Sequence, residues 1–341
     1  MKRVAVVILN YNGKGYLEKF LPTVIAFSPD AEIIVADNQS TDDSVQFLEQ
    51  NYPSIRLIIN DENGGFAKGY NDALKQVESE FYVLLNSDIE VTENWIEPCI
   101  SLLDSDRDIA AVQPKVLAYH DKQKFEHAGA AGGFLDKDFY PFCQGRIFEQ
   151  TEVDENQYKK DREVFWATGA CLFIRSSAYR EVNGLDEDFF AHMEEIDMCW
   201  RLKSRGHKIF YCASSTIYHV GGGTLNYQNP RKTFLNFRNS LYMVTKNYEG
   251  VLFRKLLKRL ILDGIAAIMF LMKFQGRHFG AVFKAHIKFY ARLGSFLRKR
   301  KAEKSARTNP VRSGLYKKSI VTQRFINGKK SFQDLDLSDF Y

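Results

Sequence analysis

Several things are scarce in this sequence, and each shortage excludes something. The five cysteines, Cys99, Cys143, Cys171, Cys199 and Cys212, include no Cys-x-x-Cys pair and no zinc spacing. Their odd number and the lack of a signal peptide point to reduced thiols in a cytoplasm. The apolar start, Val4 to Leu9, is short and runs into Asn10-Tyr11-Asn12-Gly13 without a small-residue cleavage site, so it reads as a first buried strand. No Walker motif is present, and no Gly-x-Gly-x-x-Gly follows that strand, which excludes a P-loop and a dinucleotide fold. Leu260 to Met272 is apolar but broken by Asp263, and it is shorter than the roughly 20 residues a membrane span needs. Acids are scarce in one region: between Phe253 and Lys318 only Asp263 and Glu303 occur. The net charge of +5 is therefore unevenly spread. No nucleic-acid motif accompanies the basic stretch, so no nucleic-acid partner is expected.

What is present has a clear order. The 341 residues suffice for one large domain with an appendage, or for two domains. Strands are expected at Val4–Leu9, Glu32–Ala36, Ile55–Ile59 and Phe81–Leu85, with helices over Gly15–Ala26, Asp43–Asn51 and from the glycine loop to about Val77. This alternation implies βαβ units and an α/β fold with a central, mainly parallel sheet flanked by helices. Residues 120–163 have little period and read as a long pocket-shaping loop region with room for small strands. Val164 to Arg175 is strand-like with a glycine inside.

The unbroken run Phe81-Tyr82-Val83-Leu84-Leu85 leads straight into Asn86-Ser87-Asp88. A strand buried on both faces would carry that triplet to its carboxyl end, where open α/β sheets bind ligands. Asp88 there can hold a divalent cation, or simply cap a helix beginning near Thr92. Asp37, at the end of the second strand, can accept from a base or ribose. Gly64 to Gly69 lets backbone approach a phosphate, with Lys68 adding charge. Trp166 suits either a sugar face or the core. A helix is expected from about Glu194, with Glu194, Glu195 and Asp197 in its first turn beside His192. Such acids favour the helix dipole, and one beside a cleft can act as a general base. His219 precedes Gly221-Gly222-Gly223 and is a residue type common among ligands of borderline metals.

Together these stretches resemble the family 2 inverting glycosyltransferases of the GT-A fold, a Rossmann-like nucleotide-diphospho-sugar transferase architecture, and most of all its bacterial rhamnosyltransferase-like branch. The resemblance rests on Val7–Asn12, Asp37–Asp42, Asn63–Asn71, Leu85–Asp88, Thr168-Gly169-Ala170, and the acidic helix start followed by His219, and covers about Val4 to Thr224. It implies a nucleoside diphosphate sugar donor and a Mg²⁺ or Mn²⁺ ion. Asn10 and Asp37 would contact base and ribose, and Gly65, Lys68 and Asn71 would lie along the nucleotide. Asn86-Ser87-Asp88 replaces the family's Asp-x-Asp, leaving Asp88 as its charged ligand, with His219 completing the metal site. Glu195 takes the place of the family's catalytic base, next to Glu194. Trp166, Gly169 and Asp197 are expected around the acceptor and sugar pocket.

Residues 1–226 are thus expected to form the transferase domain, 227–304 a basic amphipathic helical extension, and 305–341 a loosely ordered tail in which Phe332 and Phe340 could dock. The extension pairs an apolar face bearing Phe283, Ile287, Tyr290 and Leu293 with the run Arg298-Lys299-Arg300-Lys301. It fits an anionic membrane surface, hence a cytoplasmic enzyme peripheral on the inner face of the membrane, acting on a glycan or lipid-linked glycan acceptor. Two other readings remain: a nucleotidyltransferase making sugar nucleotides, and a non-catalytic nucleotide-sugar-binding scaffold.

Overall fold

The computed structural model describes residues 2–221 and 229–341. The expected boundary at 226, and Gly222, Gly223 and Thr224, lie outside the described residues. The first half alternates strand and helix: β1 (Val4–Asn10), α1 (Lys14–Ala26), β2 (Ala31–Asp37), α2 (Ser44–Asn51), β3 (Arg56–Ile59), α3 (Gly65–Leu74), β4 (Phe81–Asn86), β5 (Ile89–Val91), α4 (Glu97–Ser105), β6 (Ile109–Ala118) and β7 (Asp121–Phe125). Four short strands follow: β8 (Gly133–Leu135), β9 (Pro141–Cys143), β10 (Arg146–Ile147) and β11 (Gln150–Thr151). The sheet resumes with β12 (Arg162–Val164), β13 (Cys171–Arg175), α5 (Ser176–Glu181), α6 (Glu194–Ser204) and β14 (Lys208–His219). Helices α7 (Pro230–Asn247), α8 (Leu252–Met272), α9 (Gly276–Ala306) and the short α10 (Ile320–Phe325) complete the chain.

The main sheet runs β12-β14-β6-β13-β4-β1-β2-β3. Strands β3, β2, β1 and β4 are parallel, and so are β6 and β14, while β13 is antiparallel to both its neighbours. Alternation along β1 explains the layering. Val4, Val6 and Ile8 face a core that includes Leu17, Leu21 and Val24 of α1 and Leu103 of α4. Ala5 and Val7 face the other core, with Tyr70 of α3 and Met198 of α6. In register, Asn10 lies opposite Asp37, Asp37 opposite Ile59, and Leu9 opposite Asn86. The polar strand ends therefore share one edge.

Three expectations change. The stretch Val164–Arg175 is not one strand: β12 pairs with β14, β13 pairs with β4 and β6, and residues 165–170 cross between them. No helix starts near Thr92, because Ile89–Val91 pairs with β14 and Thr92 Oγ1 donates to Thr216 O at 2.7 Å. Residues 305–341 are packed rather than loose. Phe332 is 1% exposed, and Phe332 and Phe340 sit 5.3 and 5.2 Å from the Phe134 ring, with the Arg162 guanidinium over all three. The tail closes over the small β8–β11 sheet, whose Phe134, Phe142 and Ile147 are themselves buried.

The helical extension packs against α6 and the segment before it. Tyr242 of α7 stacks on Phe296 of α9 at 3.9 Å, and both touch Phe189 just before α6. Helix α8 is turned inside out. Its buried face carries Arg259, Asp263 and Ala267, whereas Phe253, Leu257, Ile261, Ile265, Ile268 and Met272 form an exposed stripe at helical spacing. Arg259 Nη1 donates to the carbonyls of Asp138 (2.9 Å) and Phe139 (3.1 Å), Nη2 donates to Ser240 Oγ (2.5 Å), Nε has no partner, and the guanidinium lies 3.7 Å from the Tyr140 ring centre.

Candidate active site

At the carboxyl edge of the parallel strands, Asn10 Nδ2 donates to Asp37 Oδ2 at 2.9 Å. The same carboxylate accepts from Ser40 N and Ser40 Oγ at 2.8 and 2.7 Å, which fixes the loop after β2. Asp37 is thus largely committed to its own loop. Asn10 Oδ1, in contrast, is buried without a hydrogen-bond partner. A Cβ at Gly13 would sit 2.5 Å from it and 3.3 Å from Ser87 Oγ, so the glycine keeps both within reach of a ligand. A buried, unpaired acceptor at a ligand edge calls for a donor from outside the chain. Gly65 opens α3 with φ +80°, and a Cβ there would strike Phe190 O at 2.5 Å. Only glycine fits this close approach between the glycine loop and the segment before α6.

Asp88 lies just past β4, with Asn86 and Ser87 before it. Its Oδ1 is 3.2 Å from His219 Nε2 at the end of β14. The opposite ring nitrogen is 3.5 Å from Glu126 Oε2, an ion-pair distance too long for a good hydrogen bond. All three side chains are buried. Burial opposes charge on the ring, but Glu126 and Asp88 outweigh it and raise His219 to about 10. Glu126 is drawn down to about 2: burial works against its ionisation, and the ring and the Ala128 N–H overcome that. Glu126 had no signal in the sequence beyond a carboxylate beside His127, because only folding sets it against His219.

The Asp88–His219 pair fits a divalent cation once Nε2 gives up its proton, because the ring raised to about 10 is otherwise an imidazolium with no free lone pair, so binding an ion there would release a proton. Two cis ligands at about 2.1 Å from an octahedral ion stand roughly 3 Å apart, close to the separation found here. Among the described residues no cluster of three or more His, Cys, Asp or Glu side chains is arranged to hold a metal. Two protein ligands, with the rest left to phosphate and water, is a usual arrangement for such ions.

The acidic pair sits on the neighbouring side. Glu194 and Glu195 open α6, and each has an Oε2 without a hydrogen-bond partner. Burial raises Glu195 to about 7; burial and then its neighbour Glu195 raise Glu194 well above the usual carboxyl range. A Cβ at Gly169 would touch Glu195 Cβ at 3.7 Å and Phe66 Cζ at 3.0 Å. The adjoining Ala170 O accepts from Asn86 N at 2.9 Å, and Thr168 Oγ1 donates to Ala128 O at 2.6 Å. The Thr-Gly-Ala turn therefore ties the Glu195 corner to the strand end bearing Asp88 and to the segment bearing Glu126.

Four expected site residues are occupied elsewhere. Asn71 uses both amide groups on Leu185 O, Glu187, Tyr179 Oη and Leu185 N, so it latches the 183–187 turn instead of facing a nucleotide. Lys68 pairs with Asp72 and with Glu62, which neutralise its charge. Trp166 is 4% exposed, donates to Phe134 O at 3.1 Å and packs against Gly133, which makes it a core residue with no face for a sugar. Asp197 is fully buried against Arg201, Lys246 and Asn247, so it braces α6 and lines no acceptor pocket.

Residues 5–182 match the family described as glycosyl transferase family 2, a little over half of the chain. The chain belongs to that family. Among its relatives is the N-acetylglucosaminyl-diphospho-decaprenol L-rhamnosyltransferase of Mycobacterium tuberculosis, 25% identical over 230 residues, covering 63% of this chain and 75% of that protein. Rhamnosyltransferase WbbL of Escherichia coli K12 is 24% identical over 229 residues, covering 63% and 83%. Solved structures share the GT-A fold. GalNAc-T7 with UDP, GalNAc and Mn²⁺ has a TM-score of 0.55 at 15% identity, covering 72% of this chain and 48% of that one, so this chain spans about half its length. The mannosyltransferase PcManGT of Pyrobaculum calidifontis with GDP-Man and Mn²⁺ scores 0.53 at 13% identity, covering 85% and 87%. The matched span ends before Glu194, Glu195 and His219, whose roles therefore rest on geometry alone.

Proposed function

We propose that this family 2 glycosyltransferase moves a sugar, with rhamnose the favoured candidate, from a nucleoside diphosphate sugar to a hydroxyl of a lipid-linked or polysaccharide precursor, with inversion. The observation that carries the reading is Glu195. It is a partly buried carboxyl with an unpaired oxygen and a pKa raised to about 7, joined through Gly169-Ala170 to the strand end that carries Asp88 and His219. A base with a pKa near the working pH is well matched to proton abstraction. Glu195 takes the proton of the acceptor hydroxyl, whose oxygen bonds to the anomeric carbon from the face opposite the leaving group. The bond from that carbon to the diphosphate oxygen breaks, and the diphosphate leaves with the electron pair. Asp88 and His219 would hold a Mg²⁺ or Mn²⁺ ion, which when bound neutralises charge on the diphosphate. Asn10 Oδ1 is placed to accept from the base or ribose.

The extension supports action at a lipid surface. No helix among the described residues is long and apolar enough to cross a membrane. Helix α9 likewise exposes Phe283, Ile287 and Tyr290 at helical spacing, and Phe274, between the two helices, is 97% exposed. Exposed Arg254, Lys273, Arg277, Lys284 and Lys288 flank them, and the one acid of these turns, Asp263, is buried. A positive rim repels a second copy of itself and suits anionic headgroups. The basic run Arg298–Lys301 contributes less than its sequence promises, since Lys299 pairs with Asp186 and Arg300 donates to Thr245 O and Tyr248 O. Apolar insertion is therefore the main attachment in this reading, on the cytoplasmic face.

The test is release of nucleoside diphosphate from a panel of UDP-, GDP- and dTDP-linked sugars with Mn²⁺ or Mg²⁺, then after EDTA. The reading expects release with at least one donor, lost on chelation and restored by metal. No release from any donor, or release indifferent to EDTA, would refute it.

A further inference from the structure

The segment that delivers Glu195 is strained, and what holds it comes from the helical extension. Phe190 has φ 67° and ψ −61°, and Ala191 N donates to Phe189 O at 2.8 Å. This is a γ-turn of the rare, strained hand. His192 and Met193 follow at φ 70° and 75°, so three of the four residues before α6 occupy left-handed backbone that costs on the order of 1–3 kcal/mol each. Met193 supplies no side-chain cap to α6. Such a turn persists only where its surroundings over-determine it.

Those surroundings are specific. Asn239, in the middle of α7 and fully buried, points Nδ2 at three carbonyls of the turn: Phe189 O at 2.9 Å, Ala191 O at 2.8 Å and His192 O at 2.7 Å. Three acceptors require the amide nitrogen there, and Asn239 Oδ1 is filled by Arg238 Nε at 2.8 Å. Arg238 also donates to Phe189 O at 2.9 Å. On the other side of the turn, Phe190 O accepts from Phe66 N at 2.7 Å and Ala67 N at 3.3 Å, at the start of α3. Further along α7, Lys246 and Asn247 hold Asp197, two residues beyond Glu195.

We infer that α7 completes the active site, with Asn239 as the positioning residue that fixes the turn Phe189–Met193 and thereby aims Glu195. The inference rests on Glu195 being the base. Glu195 Oε2 has no hydrogen-bond partner, so no bond to that oxygen orients it and its placement falls to its backbone. That backbone is set by Asn239 from one side and by the glycine-loop helix from the other. The same node links nucleotide-side backbone to the base, so the base corner moves if the turn relaxes.

The test uses the full chain and Asn239→Asp, which keeps shape but sets oxygen against three carbonyls, with Asn239→Gln as the second variant should the first not fold. Binding of UDP, GDP and dTDP with Mn²⁺ is measured by calorimetry, alongside turnover on the best donor of the panel and its pH profile. The inference expects diphosphate binding and donor KM changed by less than about threefold, kcat lowered at least about a hundredfold, and the acid limb of kcat displaced from about 7. Wild-type kcat with an unmoved limb would overturn it. So would a parallel decline of binding, melting temperature and kcat in both variants, which is the mark of a mere structural prop. Glu195→Gln is run beside them. If it keeps full turnover, the base reading itself falls; if it is inactive while Asn239→Asp is normal, only the positioning role falls.

Discussion

The sheet and the helical extension bury opposite kinds of side chain. Along β4 the apolar residues Phe81 to Leu85 are all within 1% of complete burial, and polar groups wait at the strand's end. Along α8, Arg259 and Asp263 are 1% exposed while Phe253 and Met272 are 76% and 75% exposed. The sheet follows water: it hides hydrocarbon and offers polar atoms to a ligand. Helix α8 hides polar atoms against partners from the 136–140 segment, Ser240 of α7 and His286 of α9, and it turns hydrocarbon outward. Exposed apolar surface of that extent marks an interaction face. In the proposed function the two halves answer to different surroundings, an aqueous nucleotide on one side and a lipid boundary on the other.

Four variants break or sharpen this contrast, taken from the largest effect downward. Asp88→Ala should abolish metal-stimulated turnover and the calorimetric Mn²⁺ signal; an unchanged metal response would remove Asp88 from the ion. Arg259→Ala should destabilise the chain by about 2–4 kcal/mol, since it leaves the Asp138 and Phe139 carbonyls buried and unpaired. Denaturant unfolding reads this, and a wild-type midpoint would show that the polar interior of α8 carries no weight. The triple change Phe253→Ser, Ile261→Ser, Met272→Ser should weaken binding to anionic vesicles by about tenfold or more, at high salt as well as low, with stability moved by under about 0.5 kcal/mol. Binding that vanishes in salt and ignores the triple change would put the basic residues in charge instead.

The smallest effect is in pH. A carboxyl raised to about 7 in the fold, against an ordinary value near 4.5, binds protons that the unfolded chain has already released. Its contribution is complete below about pH 4.5 and is lost as pH rises through 7. Glu195→Gln should therefore raise stability at pH 8 by roughly 1–3 kcal/mol relative to wild type, and hardly at all at pH 4. Equal shifts at both values would mean that Glu195 is not strained by burial.

The sheet was legible because its signals are local. Unbroken apolar runs ending in polar triplets need no knowledge of neighbours, and the positions of Asn10, Asp37 and Asp88 at one edge follow from parallel register. The rest was set by contacts that no spacing reveals. Asn71 and Asp197 carry the same chemistry as site residues, yet Tyr179, Leu185, Lys246 and Asn247 absorb it. Trp166 is claimed by the backbone of Gly133 and Phe134. Glu126 and Asn239 act only through partners far away in sequence, at His219 and at residues 189–192. The tail reads as loosely ordered in the sequence, with Phe332 and Phe340 able to dock, and these two with Tyr316 suffice to pin it against Phe134 and Phe142.

The central claim is that Glu195 removes the acceptor's proton, and the pH dependence of turnover tests it most directly. With Mn²⁺ and a competent donor and acceptor, wild-type kcat should rise with pH through a limb near 7, where Glu195 loses its proton. Glu195→Gln should be slower by roughly a hundredfold to ten-thousandfold and should lack that limb. A folded Glu195→Gln protein that turns over at the wild-type rate, with the limb in place, would contradict the account.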